Sequence, residues 1–372
     1  MGVDSTACLL RLLFDPTSRD FDLADLTVIC ACTGDEWEQT HRHVEEHILP
    51  LLRERRIRFV QLSRGGYSQA DGVAVLDDSR EPRTSIRRGP WSLSADLARA
   101  GVVPLVSGGR RCSQKAKAWP ITTWLQREIG DAPHRVIFGF ESGEQRRADE
   151  AVRYDSNGRE SIFPLIAWGW DRQDCEHYID AKLGIGWRKS ACTQCPFALT
   201  NKRGRTEGLA RMEASPREGA AALLLERRAI ALNPRAGLVA GERLAHLARA
   251  QRRQPLLDAF TALLARTEHA IYDVRRFAPE RGMVARSVKI LDFGPAEAMH
   301  ASLEAFAAAR HVPVDHSDDV PRAWMLRRGD ARPWTEHFLV AGPAGAVAKE
   351  RGGFAAGWAA ATHDAPCGRP AA

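Results

Sequence analysis

Leu26-Thr27-Val28-Ile29-Cys30-Ala31-Cys32 is a seven-residue apolar run, β-branched in part, that closes on the turn residues Thr33-Gly34-Asp35-Glu36. An apolar run of this length bounded by a turn predicts a strand buried on both faces, the kind found in parallel sheets. A helix is expected next over about 38–55, and Ile57-Arg58-Phe59-Val60-Gln61-Leu62 reads as a second strand. Strand, helix, strand in this rhythm implies right-handed βαβ units and an α/β fold with a doubly wound, mostly parallel sheet. Ligands of such sheets sit outside the carboxyl ends of the strands, which places Asp35 and Glu36 on that rim.

Working upstream, Met1-Gly2-Val3-Asp4-Ser5-Thr6 runs straight into Ala7-Cys8-Leu9-Leu10-Arg11-Leu12-Leu13, an apolar helix start. Gly2 allows close backbone approach, and Asp4 and Ser5 are helix N-cap types. A turn of this kind aims several amide N–H groups at one spot, where the helix dipole favours an anion. It reads as a phosphate cradle. A strand is expected to feed the turn, so Met1 is read as an internal methionine with an in-frame apolar strand ahead of it.

Downstream, residues 64–111 are read as loops forming a mobile cover over the rim, with Gly65-Gly66 and Ser107-Gly108-Gly109 as markers. Arg110-Arg111-Cys112-Ser113 opens a helix carrying Lys115, Lys117 and Pro120. Arg135–Phe140 is read as a strand leading to Glu141-Ser142-Gly143-Glu144-Gln145-Arg146-Arg147, and a helix is expected over about 171–183. Past residue 200, alanine-, leucine- and arginine-rich patterns over 207–232, 241–276 and 295–310 predict helices. The expected domains are therefore a nucleotide-binding unit over 1–200, a mainly helical unit over 201–345 and a flexible tail over 346–372.

With 44% hydrophobic and 27% charged residues in 372, the composition is that of an ordinary globular protein. The formal charge of +6 suits phosphate-rich ligands or nucleic acid, and suits equally a GC-rich genome that favours arginine codons. No apolar stretch reaches the roughly 18 residues of a membrane span and no signal-peptide pattern opens the chain, so a cytoplasmic protein without a membrane partner is expected. In the expected reducing compartment, clustered cysteines among the eight point to metal or redox chemistry rather than disulfides.

Cys192-x-x-Cys195 is half a zinc site, a redox pair or part of an iron–sulfur site. Cys112 lies 80 positions upstream, beside Arg111 at a helix start, where thiolate is favoured. Three cysteines fit a cluster with one open iron better than a closed zinc site; Cys175 is either a fourth ligand or a buried structural thiol. Cys8, Cys30 and Cys32 read as core thiols. His41, His43 and His47 share one helix and read as surface histidines, with a His43–His47 metal pair as the alternative. Trp168, Trp170 and Trp187 either stack on a base or wall the rim. Arg146 and Arg147 either grip phosphate or form a solvated charge pair.

Taken together, these residues resemble the PP-loop ATP pyrophosphatase superfamily, in the branch that includes phosphoadenosine phosphosulfate (PAPS) reductases. The family motif is Ser-Gly-Gly-x-Asp-Ser at a strand-to-helix turn; Gly2-Val3-Asp4-Ser5 matches its last four positions, with Met1 where the first Gly would stand. Arg111-Cys112, then Lys115 or Lys117 and Pro120, then Cys192-x-x-Cys195, resembles the iron–sulfur pattern of adenylyl-sulfate reductases, with Arg111 in place of the first of two adjacent cysteines. The tail Asp364-Ala365-Pro366-Cys367-Gly368-Arg369 lacks the Glu and His that flank the reductases' C-terminal cysteine. The likeness covers residues 1–200.

The resemblance implies an enzyme. Gly2, Val3, Asp4, Ser5, Thr6, Asp35 and Glu36 would bind ATP (or PAPS), and Asp4 would help hold Mg²⁺. Lys115 and Arg147 would supply catalytic cations beside Asp4 and Ser5. Adenylation with pyrophosphate release would be coupled to sulfur transfer from a sulfur donor onto an acceptor, tRNA or DNA among the candidates. Cys112, Cys192, Cys195 and Cys175 would hold a [4Fe-4S] cluster, with zinc as the alternative. The rival readings are sulfonucleotide reduction and a non-catalytic nucleotide- or nucleic-acid-binding protein.

Overall fold

The computed structural model describes residues 1–156 and 158–363. The chain divides into two compact units, one of Met1–Ser94 and Ser107–Thr193, the other of Ala95–Val106 and Gln194–Ala372.

In the first unit, α1 (Val3–Phe14) buries Val3, Ala7, Leu10 and Leu13, an apolar stripe at helical spacing. β1 (Thr27–Ala31) follows, then one helical segment built from α2 (Glu38–His43), a π-helical turn over Val44–Ile48, and α3 (Leu49–Glu54). β2 (Arg58–Arg64) pairs parallel with β1, from Thr27 opposite Arg58 to Ala31 opposite Leu62. β3 (Val73–Ser79) pairs antiparallel with β2, and α4 (Leu93–Ala100) carries the chain from the first unit into the second. The span expected to be a loose cover thus holds a strand and a helix. The missed signal is Val73-Ala74-Val75-Leu76, a short β-branched run ending in Asp77 and Asp78.

α5 (Arg111–Ser113), a second π-helical turn (Gln114–Ala118) and α6 (Trp119–Glu128) form the next continuous helix. In each π turn the first carbonyl is bonded five residues on, Val44 to Leu49 and Gln114 to Trp119. Each sits just ahead of a proline, Pro50 or Pro120, which has no N–H to offer the carbonyl four residues back. β4 (His134–Ile137) and β5 (Arg159–Ile162) pair parallel, with α7 (Gln145–Val152) between them in sequence. α8 (Pro164–Ala167) and α9 (Arg172–Leu183) complete the unit; an Asp171–Asp174 capping box starts α9. α1 packs on α9, and their apolar faces share a core with Ile48, Leu52, Phe59 and Leu165.

The first unit is therefore mixed α/β with two parallel strand pairs, held in separate sheets ordered β1-β2-β3 and β4-β5. β1 departs from expectation. Among the described residues it has a strand partner on one side only, and Thr27 to Cys30 are half-buried rather than sealed.

The second unit corrects the expectation of a mainly helical region. Helices α10 (Lys202–Ala214), α11 (Pro216–Leu232), α12 (Leu244–Ala250) and α13 (Gln254–Ala265) precede a five-stranded antiparallel sheet. Its strands are β6 (His269–Ala278), β7 (Ala285–Gly294), β8 (Val314–Asp315), β9 (Arg322–Leu326) and β10 (Trp334–Pro343), in the order β7-β6-β10-β9-β8. α14 (Ala296–Ala308) covers the face of Ile271, Leu339 and Ala341; α11 covers the face of Tyr272, Val274, Phe338 and Val340. Because helices cover both faces, β6 and β10 carry apolar residues at successive positions rather than in alternation, and Ala270–Val274 read as part of a helix. α15 (Phe354–His363) lies in the segment expected to be a flexible tail, and Cys367 falls outside the described residues. No helix among the described residues is long and apolar enough to cross a membrane.

Candidate nucleotide-phosphate site

α1 begins on an extended Gly2 (φ −89°, ψ 167°) and takes no side-chain cap. Its first intrahelical bond runs from Thr6 N–H to the Gly2 carbonyl at 2.9 Å, so the amides of Val3, Asp4 and Ser5 precede the helical ladder. Val3 and Thr6 point into the core, while Gly2 and Ser5 line a cavity of about 280 Å³. The strand end after β4 presses on this turn: a Cβ placed on Gly139 would lie 2.7 Å from Ser5 Cα and 2.8 Å from its nitrogen. Only glycine fits there, because the obstacle is backbone. Ser190 closes the turn from another side, its Oγ 2.9 Å from where a Gly2 Cβ would be.

Asp4 is the electrostatic centre of the turn. Its Oδ2 accepts from Arg172 at 2.7 Å, while Oδ1 is buried with no hydrogen-bond partner. Burial pushes the Asp4 carboxyl up to about 6; Arg172 works against the rise, and Glu144 and Glu141 add to it. A buried carboxylate oxygen left unmatched costs free energy unless a cation or donor meets it. Magnesium is commonly held by one or two carboxylates plus substrate phosphates, and Asp4 Oδ1 fits that role.

On the rim beyond β1, Glu36 accepts from Lys117 Nζ at 2.5 Å. Burial alone would raise the Glu36 carboxyl, but Lys117 and the Met1 ammonium together outweigh it and hold the group down at about 2. Burial likewise opposes the charge on Lys117, and Glu36 reverses that and raises it. The Glu36 side chain is 7% exposed and that of Lys117 41%; both line the cavity, so part of the lysine's exposure is to that space. Asp35 turns away from the cavity, its Oδ2 accepting from Ser94 N–H at 2.6 Å and its carbonyl from Thr193 N–H at 2.9 Å.

The remaining expected residues separate. Lys115 faces a second hollow of about 450 Å³ with Arg64, Arg111 and Trp119, and lies 5.2 Å from the Tyr67 ring centroid. Lys115 and Lys117 are two positions apart on a helix, so they cannot share a face. Arg147 donates to Glu144 at 2.6 Å and stacks 4.1 Å over Phe140, while Arg146 pairs with Glu150 on the surface. Trp168 and Trp170 lie 4.2 and 4.7 Å from the Arg11 guanidinium and Trp187 packs on His43; all three pack in or against the core of α1 and α9, and none lines the cavity. His41, expected at the surface, is buried against Ser85 Oγ at 2.8 Å.

The structure does not bring three of the expected cluster cysteines together among the described residues. Cys192 Sγ lies 3.4 Å from Thr33 Oγ1, and burial first, then Glu36, pushes its thiol up to about 12. Cys175 is sealed in the α9 core beside Cys8, its thiol also pushed up to about 12 by burial. Cys112 is half-buried on α5, and Cys195 belongs to the second unit. Among the described residues, no group of three or more His, Cys, Asp or Glu side chains is placed to hold a metal ion. Cys30 lines the cavity rather than the core alone.

Sequence reasoning did not find Arg172, Gly139 or Ser190. Each lies well over a hundred positions from the turn, in an element whose local pattern speaks only of a cap, a strand end or a loop. No family model, no curated protein and no solved structure matches this chain.

Proposed function

We propose that the turn at the start of α1 binds the phosphates of an adenine nucleotide, and that the chain is an adenylating enzyme of the PP-loop ATP pyrophosphatase kind, with β1-β2 and β4-β5 as parts of one doubly wound sheet. The observation that carries this reading is the uncapped first turn of α1, with backbone closed around it at Gly139 and a buried Asp4 oxygen lacking a partner.

In this reading the amides of Val3, Asp4 and Ser5 meet phosphate oxygens and the Ser5 hydroxyl donates to them. Lys117 supplies positive charge from the Glu36 side. Mg²⁺, held at Asp4, would neutralise phosphate charge when bound. A substrate oxygen attacks the α-phosphorus, the bond to the bridging oxygen of the β-phosphate breaks, and pyrophosphate leaves as the adenylyl group is transferred. Positioning and charge neutralisation are the protein's whole contribution. The sulfur-transfer step implied by the cysteine pattern has no geometric support to build on, and no step is routed through a cluster.

Calorimetric titration with Mg²⁺–ATP, followed by pyrophosphate release with candidate acceptors, tests the proposal. The wild-type chain should bind ATP, and Asp4→Asn should weaken binding or turnover about tenfold or more. Binding with no pyrophosphate released from any acceptor would favour a non-catalytic nucleotide-binding protein. No binding of ATP or PAPS would refute the site.

A further inference from the structure

The helix that carries Lys117 to the cavity has a second lined face. Arg111, Lys115 and Trp119 recur at every fourth residue, so they stand on one side of the α5–α6 helix, with Gln114 beside them. These four, together with Arg64 and Gln69, line the hollow of about 450 Å³. Lys117 and Ile121, each two positions further along, line the cavity of the phosphate turn instead. One helix thus serves two hollows from two faces. The facing wall of the second is tightly closed. Arg64 ends β2 and is 4% exposed, its guanidinium donating to the Tyr67 carbonyl. Gly65 N–H donates to the Gly72 carbonyl at 2.8 Å, and a Cβ on Gly65 would lie 2.2 Å from the Asp71 carbonyl oxygen. Only glycine permits that closure, which brings Gln69 to the hollow. Asp71 is turned into its own loop, accepting from Ser68 N–H at 2.7 Å.

We infer that this hollow is a second phosphate-ester site, separate from the turn of α1, and that it takes one nucleotide unit. Its lining is three cations, two side-chain amides and an indole, and among the described residues no Asp or Glu lines it. Three cations gathered at one hollow repel one another, and a bound anion offsets that repulsion. Arg64 and Arg111 offer the planar forks that suit phosphate oxygens, and Lys115 adds a point charge. Trp119 gives a base a face to stack on, and Tyr67, 42% exposed with its ring centroid 5.2 Å from Lys115 Nζ, stands beside the hollow as a second aromatic. Gln69 and Gln114 can each donate to and accept from a base edge. A volume of about 450 Å³ lies within the range of small-ligand pockets. This inference does not depend on ATP binding at the α1 turn.

The test is calorimetric titration of the full chain with thymidine monophosphate, inorganic phosphate, a short oligothymidylate and Mg²⁺–ATP. Thymidine monophosphate should bind, and Arg111→Glu/Lys115→Glu, at two exposed positions, should weaken it about tenfold or more while ATP changes less than about twofold. Arg146→Glu/Arg203→Glu makes the same change in net charge at exposed positions elsewhere and should leave thymidine monophosphate within about twofold. Lys115→Gln, a milder change, should show the same loss in smaller measure, so the result does not hang on the double variant folding. Trp119→Leu should weaken thymidine monophosphate about fivefold or more and leave inorganic phosphate unchanged. Oligothymidylate binding about tenfold tighter than the monophosphate would identify the ligand as a unit of a single strand, and equal affinity would identify it as a free nucleotide. No binding of either thymidine ligand, or equal losses in the Arg111/Lys115 and Arg146/Arg203 variants, would overturn the inference. Equal weakening of ATP and thymidine monophosphate would overturn the separation of the two sites.

Discussion

Replacing Glu36 by Gln removes one member of a close ion pair whose partner, Lys117 Nζ, lies 2.5 Å away. The Glu36 carboxyl is held at about 2 against an ordinary 4.5, a difference worth about 3 kcal/mol at 1.36 kcal/mol per unit. Part of that depression comes from the Met1 ammonium, and Lys117 keeps 41% of its side-chain area, so the net value of the pair is about 2 kcal/mol. The sign follows from the depressed value. The contribution is fully present above pH 4.5 and is lost as pH falls toward about 2. Urea denaturation of wild type and Glu36→Gln should therefore differ by about 2 kcal/mol at pH 7, with the gap narrowing below pH 4.5. The double variant Glu36→Gln/Lys117→Met should recover part of the loss, because it leaves no unpaired charge behind. A gap under about 0.5 kcal/mol at pH 7, or one unchanged at pH 3, would refute the account of this pair.

Three further outcomes are expected. Gly139→Ala puts a Cβ 2.7 Å from Ser5 Cα, so it should cost about 1–3 kcal/mol in a thermal melt and weaken ATP binding together with stability. Asp4→Asn should slow ATP-dependent pyrophosphate release about tenfold or more yet leave the melting temperature unchanged or higher, because burial makes the Asp4 charge costly to the fold. In the second unit, buried Glu226 accepts from Leu238 N–H at 2.7 Å and Leu244 N–H at 2.8 Å. Glu226→Ala strands both amides and should destabilise by about 2–4 kcal/mol in denaturant titration, with Glu226→Gln intermediate because one amide oxygen remains.

The first unit was legible where local pattern and tertiary use agree. The β1 run, the 38–55 helix, the β2 run and the α9 cap all sit within two residues of their expected places. Ser5 and Glu36, read from the sequence as turn residues on one rim, both line the same cavity in the structure. What failed did so for tertiary reasons. Ala270–Val274 sits between two helical layers, and continuous burial erases the alternation that identifies a strand. β1 read as sealed because its residues are apolar on both faces, whereas edge or centre depends on a neighbour that composition cannot supply. The cysteine spacing carries no information about the buried setting of Cys192 beside Thr33 and Glu36.

The π-helical turn over Gln114–Ala118 has a consequence for how this helix could vary. A widened turn amounts to one residue inserted into an α-helix, and each α-helical residue turns the chain by about 100°. Deleting one residue between Lys115 and Lys117 would leave Lys117 anchored on Glu36 while swinging Arg111, Cys112 and Lys115 about the helix axis by that angle. The direction in which the helix start presents its cations and its thiol is thus set by the length of one turn, and a change of a single codon's length would re-aim all of them at once.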